Sequence, residues 1–243
     1  MAGNLSLFMS ERENIFARIR EALRVTAQRP GQHGASSSGT NHTGTASEHA
    51  REWLPKVGST AEERLVLFRK MAIDLKAEVV LVENHEQLAQ TLKTLANAEN
   101  WKKIGIHQGE LTGIVDQSLN LPKCWTDRPY EVNELESCDA GISECDALVA
   151  QTGSVLVTNR SAGGRALSVL PSHHVVVART SQIIPDLPEA FALLRRKYSP
   201  DYPSFISLIT GPSRTGDIER ILVLGAHGPK RLTILLLKGK GAG

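Results

Sequence analysis

The sequence has no apolar run able to cross a membrane: its longest, Leu232 to Leu237, falls far short of the roughly 20 residues a spanning helix needs. No apolar segment with a cleavage site opens the chain, so the protein is expected to stay in the cytoplasm, uninserted in any membrane. Arg12, Arg18, Arg20, Arg24 and Arg29 precede a Ser/Thr-rich stretch as in a transit peptide, but Glu11, Glu13 and Glu21 do not belong in one. An excess of one charge is missing too. With 28 Lys and Arg against 26 Asp and Glu the net charge is +2, too small for a field that would draw the protein to nucleic acid. Cysteine is scarce, and Cys124, Cys138 and Cys145 match neither CxxC metal spacing nor a secreted disulfide framework. An iron–sulfur cluster normally takes four thiolates, so none is expected here by the usual ligation, nor any other metal or cofactor. The GxGxxG fingerprint, the HExxH pair and the serine nucleophile elbow are absent. Dinucleotide oxidoreductase, zinc protease and hydrolase readings thereby lose their usual support.

What is present is enough for a core: 243 residues, 41% of them hydrophobic. Ser10 and Glu13 form a capping box ahead of Ile15, Ile19 and Leu23 on one face, which predicts an N-terminal helical arm over residues 1–28. Residues 29–52 hold almost nothing apolar and are expected to be a flexible linker, leaving one α/β domain over 53–243. Within it, Thr60 with Glu63 and Asn84 with Gln87 open helices, each followed by an apolar run, Glu78 to Val82 and Lys103 to Ile106. Such alternation predicts a parallel sheet with helices on its faces. Beyond Cys138, Ala147 to Ala150 and Ser154 to Thr158 flank Gln151-Thr152-Gly153 as a hairpin would. Val175 to Ala178, Phe205 to Thr210, Ile221 to Leu224 and Leu232 to Leu237 read as further strands. Asp186 with Glu189 caps a helix whose C-terminal Arg195, Arg196 and Lys197 suit its dipole and need no ligand.

Three polar stretches can carry chemistry. Gly211-Pro212-Ser213-Arg214-Thr215-Gly216-Asp217 follows a strand, and its amides and the Arg214 fork can hold a carboxylate or phosphate. The alternative is a plain turn in which Asp217 caps a helix and Arg214 pairs with a structural carboxylate. It lacks the Gly-Lys-Ser/Thr ending of a phosphate loop. Gly163-Gly164-Arg165, Ser168 and Pro171-Ser172-His173-His174 stand before an apolar strand, with Arg165 and His173 the preferred ligand contacts. Adjacent histidines in an extended segment face opposite ways, so the pair is a poor metal chelate and at least one is structural. His227, on the turned segment Gly225 to Pro229, is either a ligand contact or an ordinary solvated histidine.

Taken in order, four motifs resemble the LUD-domain family of the lactate-utilisation protein C type. They are Asp146-Ala147 through Gln151-Thr152-Gly153-Ser154-Val155; Arg165-x-x-Ser168-x-Leu170-Pro171-x-x-His174-Val175-Val176; Gly211 to Glu219; and Gly225-x-His227-Gly228-Pro229. The resemblance implies a three-layer α/β/α fold akin to ribose-5-phosphate isomerase, glucosamine-6-phosphate deaminase and the CoA transferases. It also implies a part in oxidising L-lactate to pyruvate beside iron–sulfur partner proteins that own the clusters. On it, a small organic acid or other anionic ligand is expected at Gln151, Thr152, Gly153, Arg165, Ser168, His173, Gly211, Ser213, Arg214, Thr215, Asp217 and His227, with no catalytic residue assigned. The family commonly has Glu-Thr-Gly where this chain has Gln151-Thr152-Gly153. An amide is no carboxylate nucleophile or general base, so either the chemistry is altered here or that position only orders the turn. Two other readings stand beside this one: an independent enzyme or binding protein for a phosphorylated sugar or acyl-CoA, and a metabolite-sensing scaffold whose N-terminal helix docks on a partner.

Overall fold

The structure, a computed structural model, describes residues 16, 20, 54–215, 223–224 and 227–239. The chain divides into two units, 1–51 and 52–243. In the first, Phe16 and Arg20 are helical; the rest of the expected arm and linker lies outside the described residues.

The second unit begins with α1 (Ala61–Asp74). Its start is the expected capping box, in which the Thr60 hydroxyl accepts the Glu63 amide at 3.1 Å and the Glu63 carboxylate accepts the Thr60 amide at 2.9 Å. Strand β1 (Glu78–Val82) follows, then α2 (His85–Ala98), opened by Asn84 accepting the Gln87 amide. The chain continues through β2 (Ile104–Ile106), α3 (Glu110–Ser118), β3 (Lys123–Trp125), α4 (Val132–Glu136) and β4 (Ala140–Ser143). Next come β5 (Ala147–Val149), β6 (Ser154–Thr158), β7 (His173–Arg179), β8 (Ile183–Ile184) and α5 (Leu187–Tyr198). The last strands are β9 (Ile206–Ile209), β10 (Arg214–Thr215), β11 (Val223–Leu224) and β12 (Arg231–Leu237).

Six of these strands form a wholly parallel sheet in the order β1-β12-β7-β4-β2-β3, flanked by helices as the alternation of elements predicts. Central strands buried on both faces read as continuous apolar runs, and β7 and β12 do so. On one face Val175, Val177 and Leu235 pack with Leu88 and Leu92 of α2 and Leu111 and Val115 of α3. On the other, Val176, Ala178, Ile234 and Leu236 pack with Phe68 of α1 and with Leu148 and Val155. Those last two belong to a second sheet, ordered β8-β5-β6-β9, whose opposite side packs on Ala190 and Leu194 of α5. The expected hairpin is its antiparallel β5–β6 pair, turning at Gln151-Thr152-Gly153.

Candidate functional site

The amino ends of β7 and β12 frame a cavity of about 230 Å³, closed by the chain after β9 and the turn before β12. Its lining includes Ser168, His174, Thr210 to Ser213, His227 to Pro229 and Leu232. Local chemistry explains why these stretches meet. Gly211 has φ +79°, and a Cβ there would lie 2.5 Å from the Leu75 carbonyl oxygen, so only glycine lets the loop close onto the end of α1. The Ser213 amide donates to the Pro229 carbonyl at 2.9 Å, tying the two loops together. Ser168 ends a short 3₁₀ turn (Ala166–Ser168), its hydroxyl donating to the Arg165 carbonyl.

His174 is the unusual member. Its ring is 1% exposed, Nε2 lies 2.9 Å from the Ser143 hydroxyl, and Nδ1 has no hydrogen-bond partner among the described residues. Burial, with His173 adding a smaller push, lowers its pKa to about 3, so the imidazole is neutral at physiological pH. Native folds rarely leave a buried polar atom unpaired.

Of the residues singled out from the sequence, Ser168, Gly211, Ser213 and His227 line this cavity. The hairpin turn adjoins it: the Ser154 hydroxyl donates to Thr152 Oγ1 at 2.8 Å and lies 2.8 Å from Thr210 Oγ1 at the rim. Gln151 looks away, donating from Nε2 to the Pro55 carbonyl, and Gly153 seats against the backbone of α1. Thr215 pairs with Val223 in the β10–β11 ladder, and Asp217 lies outside the described residues.

Three more of the expected residues lie outside the cavity lining. His173 faces the α2 side, where its Nδ1 meets Glu99 at 2.8 Å, its Nε2 meets Thr233 Oγ1 at 2.8 Å and Trp101 stacks edge-on; the neighbour His174 takes the cavity. Strand alternation separates the two rings. Arg165 is exposed and outside the cavity lining. Arg214 turns to α1, donating from Nη2 to the Leu75 carbonyl, where the C-terminal end of a helix favours a cation. The expected pair of guanidinium clamps is therefore not in the cavity. Arg214→Ala should cost about 1–2 kcal/mol, the worth of a charged hydrogen bond at a helix end. Thermal melts should show that loss.

A larger hollow of about 760 Å³ lies at the carboxyl ends of β1, β7 and β12, the end at which α/β sheets commonly bind ligands. In its lining, which also holds His85 and Glu86, Lys238 pairs with Glu83 and Arg179 with Glu110, and Asn84 caps α2. Between β2 and β4, Glu144 accepts the Leu111 and Thr112 amides at 2.7 and 3.0 Å and so caps α3. The Glu144 amide donates to His107 Nε2, which assigns the His107 proton to Nδ1, facing the Gln108 carbonyl. Glu144 and His107 thus satisfy one another, whereas His174, in the lining of the smaller cavity, keeps a buried nitrogen with no partner among the described residues. Among the described residues no group of three or more His, Cys, Asp and Glu is placed to hold a metal ion, and no helix is long and apolar enough to cross a membrane.

A family model described as the LUD domain matches residues 65–237. Lactate utilization protein C of Anoxybacillus flavithermus is 35% identical over 106 residues, 44% of this chain and 47% of that protein. The protein of the same name from Deinococcus radiodurans is 32% identical over 177 residues, 72% of this chain and 80% of that one. Against several other curated relatives, too, the matched part of the chain spans about half their length. A crystal structure of a DUF162 family protein from Deinococcus radiodurans superposes with a TM-score of 0.57 at 21% identity, covering 75% of this chain and 100% of that one, a likeness of fold.

Proposed function

The chain belongs to the LUD-domain family, and on that premise we propose that it is a component of a lactate-utilisation system, supporting oxidation of L-lactate to pyruvate as the subunit that binds the organic acid. The observation that carries this reading is the cavity itself, where three separated motif stretches meet around a buried imidazole that lacks one partner among the described residues. At about 230 Å³ it is below the roughly 300–1,000 Å³ that hold drug-sized ligands, so it suits a small acid better than a CoA thioester. A phosphorylated sugar would call for cationic clamps, and Arg165 and Arg214 are not in the lining.

Oxidation of lactate releases two electrons, which iron–sulfur partner proteins would accept. This chain's thiols are poorly suited to that task. Cys124 and Cys138 share one buried cluster while Cys145 belongs to another, and burial raises all three pKa values, that of Cys138 to about 12. Metal ligation needs thiolates, so this environment supports placing the redox centres on the partners.

Omission tests the assignment. Lactate-dependent reduction of an artificial acceptor by the reconstituted system should fall to background without this chain and return when it is added. Unchanged turnover without it removes the proposal.

A further inference from the structure

The tautomer of His174 can be assigned from what surrounds it. The ring is neutral, so one nitrogen carries a proton and the other a lone pair. Among the described residues the ring's only hydrogen-bond partner is the hydroxyl of Ser143, itself fully buried at the carboxyl end of β4 and with no other side-chain hydrogen bond. Two arrangements are possible. In the first, Ser143 donates to Nε2, both of those groups are satisfied, and the ring proton sits on Nδ1 as a single unpaired donor. In the second, Nε2–H donates to Ser143, which strands the hydroxyl proton and the Nδ1 lone pair together. Each buried group left unpaired costs roughly 1–3 kcal/mol, so the first arrangement is the more stable.

We infer that His174 presents an Nδ1–H donor to the cavity, held in that tautomer by Ser143, and that this donor meets an acceptor oxygen of the bound molecule, a carboxylate or keto oxygen of a small organic acid. The inference rests on the organic-acid reading of the cavity for the identity of the ligand, but not for the tautomer. His174 is then the specificity-determining residue: a molecule lacking an acceptor at that depth leaves the donor unpaired and is rejected. The hydroxyls of Ser168 and Ser213, from two other stretches of the same lining, can add hydrogen bonds to the rest of the ligand. Ser143 acts through the ring and is a positioning residue.

Long-range ¹H–¹⁵N correlation of the histidine rings in the full chain reads the tautomer directly, with the His174 signals assigned by their loss in His174→Gln. The expected pattern is Nδ1–H, with the protonated nitrogen shifting on addition of pyruvate. Two variants separate donor from shape. Asn at 174 places an amide N–H close to the Nδ1 position, and His174→Asn should keep pyruvate affinity within about threefold. Gln reproduces the Nε2 contact with Ser143 instead, and His174→Gln should weaken binding about tenfold or more, as loss of one buried donor requires. Ser143→Ala should mix the two tautomers in the ligand-free spectrum and weaken pyruvate binding severalfold. An Nε2–H or doubly protonated ring overturns the inference whatever binds, as does a shift-free His174 in a pyruvate-saturated sample. A silent pyruvate titration with the Nδ1–H tautomer in place overturns the organic-acid reading instead, and with it the ligand assigned to this donor.

Discussion

Replacing Gly153 with valine should lower the melting temperature by roughly 10 °C, about half of it steric. Gly153 sits at φ +64° in the β5–β6 turn, a conformation that costs a branched residue about 1–3 kcal/mol. A Cβ there would also lie 2.5 Å from the Ala72 amide nitrogen and 2.7 Å from the Met71 carbonyl carbon, both backbone atoms of α1 that cannot swing aside. Forcing the helix outward disturbs the packing of Phe68 and Ala72 on the sheet, worth a further 1–3 kcal/mol or so. Gly164 supplies the control. It too has a left-handed φ, +98°, yet a Cβ there meets nothing within 4 Å. Gly164→Val should therefore show only the backbone cost and about half the shift. Equal shifts in the two variants would refute the close approach of turn and helix.

Asp146 should produce the second large effect, and one with a distinctive dependence on pH. Its buried Oδ1 accepts from Lys197 Nζ and from Tyr198 Oη, each at 2.6 Å, joining the start of the second sheet to α5. Burial alone would raise this carboxyl; the hydrogen bonds and charge of Lys197 and the Tyr198 phenol outweigh it and hold the group below the usual carboxylate range. Asp146→Ala should cost about 2–3 kcal/mol at pH 7, less than a fully buried pair because the Lys197 side chain is half exposed and can be solvated. A carboxyl whose pKa is depressed by folding contributes stability that is complete above its unfolded value, near 4, and fades as pH falls through its folded value. Urea unfolding of wild type and variant should thus differ most above about pH 5 and converge in stronger acid. A gap that stays constant down to pH 2 would show that folding does not depress the pKa of Asp146.

The elements visible from sequence are those whose signals are local. Thr60, Asn84 and Asp186 each cap the helix that begins beside them, and each pairs with an amide three residues on. The hairpin was visible because its turn and both its strands are contiguous. Helix α3 gave no such sign, since Gly109 offers no capping side chain; its cap is Glu144, 33 residues away in sequence. The short β3, α4 and β4 carry too few residues for a period to emerge.

The candidate site divides in the same way. Ser168, Gly211, Ser213 and His227 could be picked out as polar or turn residues beside strands, and these meet in the cavity. His174 could not be chosen over His173, nor Arg214 excluded, because both outcomes depend on what packs opposite. Alternation along β7 requires one histidine on each face, but which face opens onto a cavity is decided by the placement of α2 and Trp101 on one side and of the loop after β9 on the other.

By itself, then, the order of residues determined the family, the parallel α/β alternation, the helix starts and the stretches rich in site-forming groups, since each is written in neighbours along the chain. Tertiary structure alone decided which of those groups share a cavity, which cation is spent on a helix end, and which imidazole keeps a nitrogen with no partner among the described residues. Those outcomes depend on groups distant in sequence satisfying or failing to satisfy one another, and hydrogen-bond partners of that kind exist only once the layers have packed.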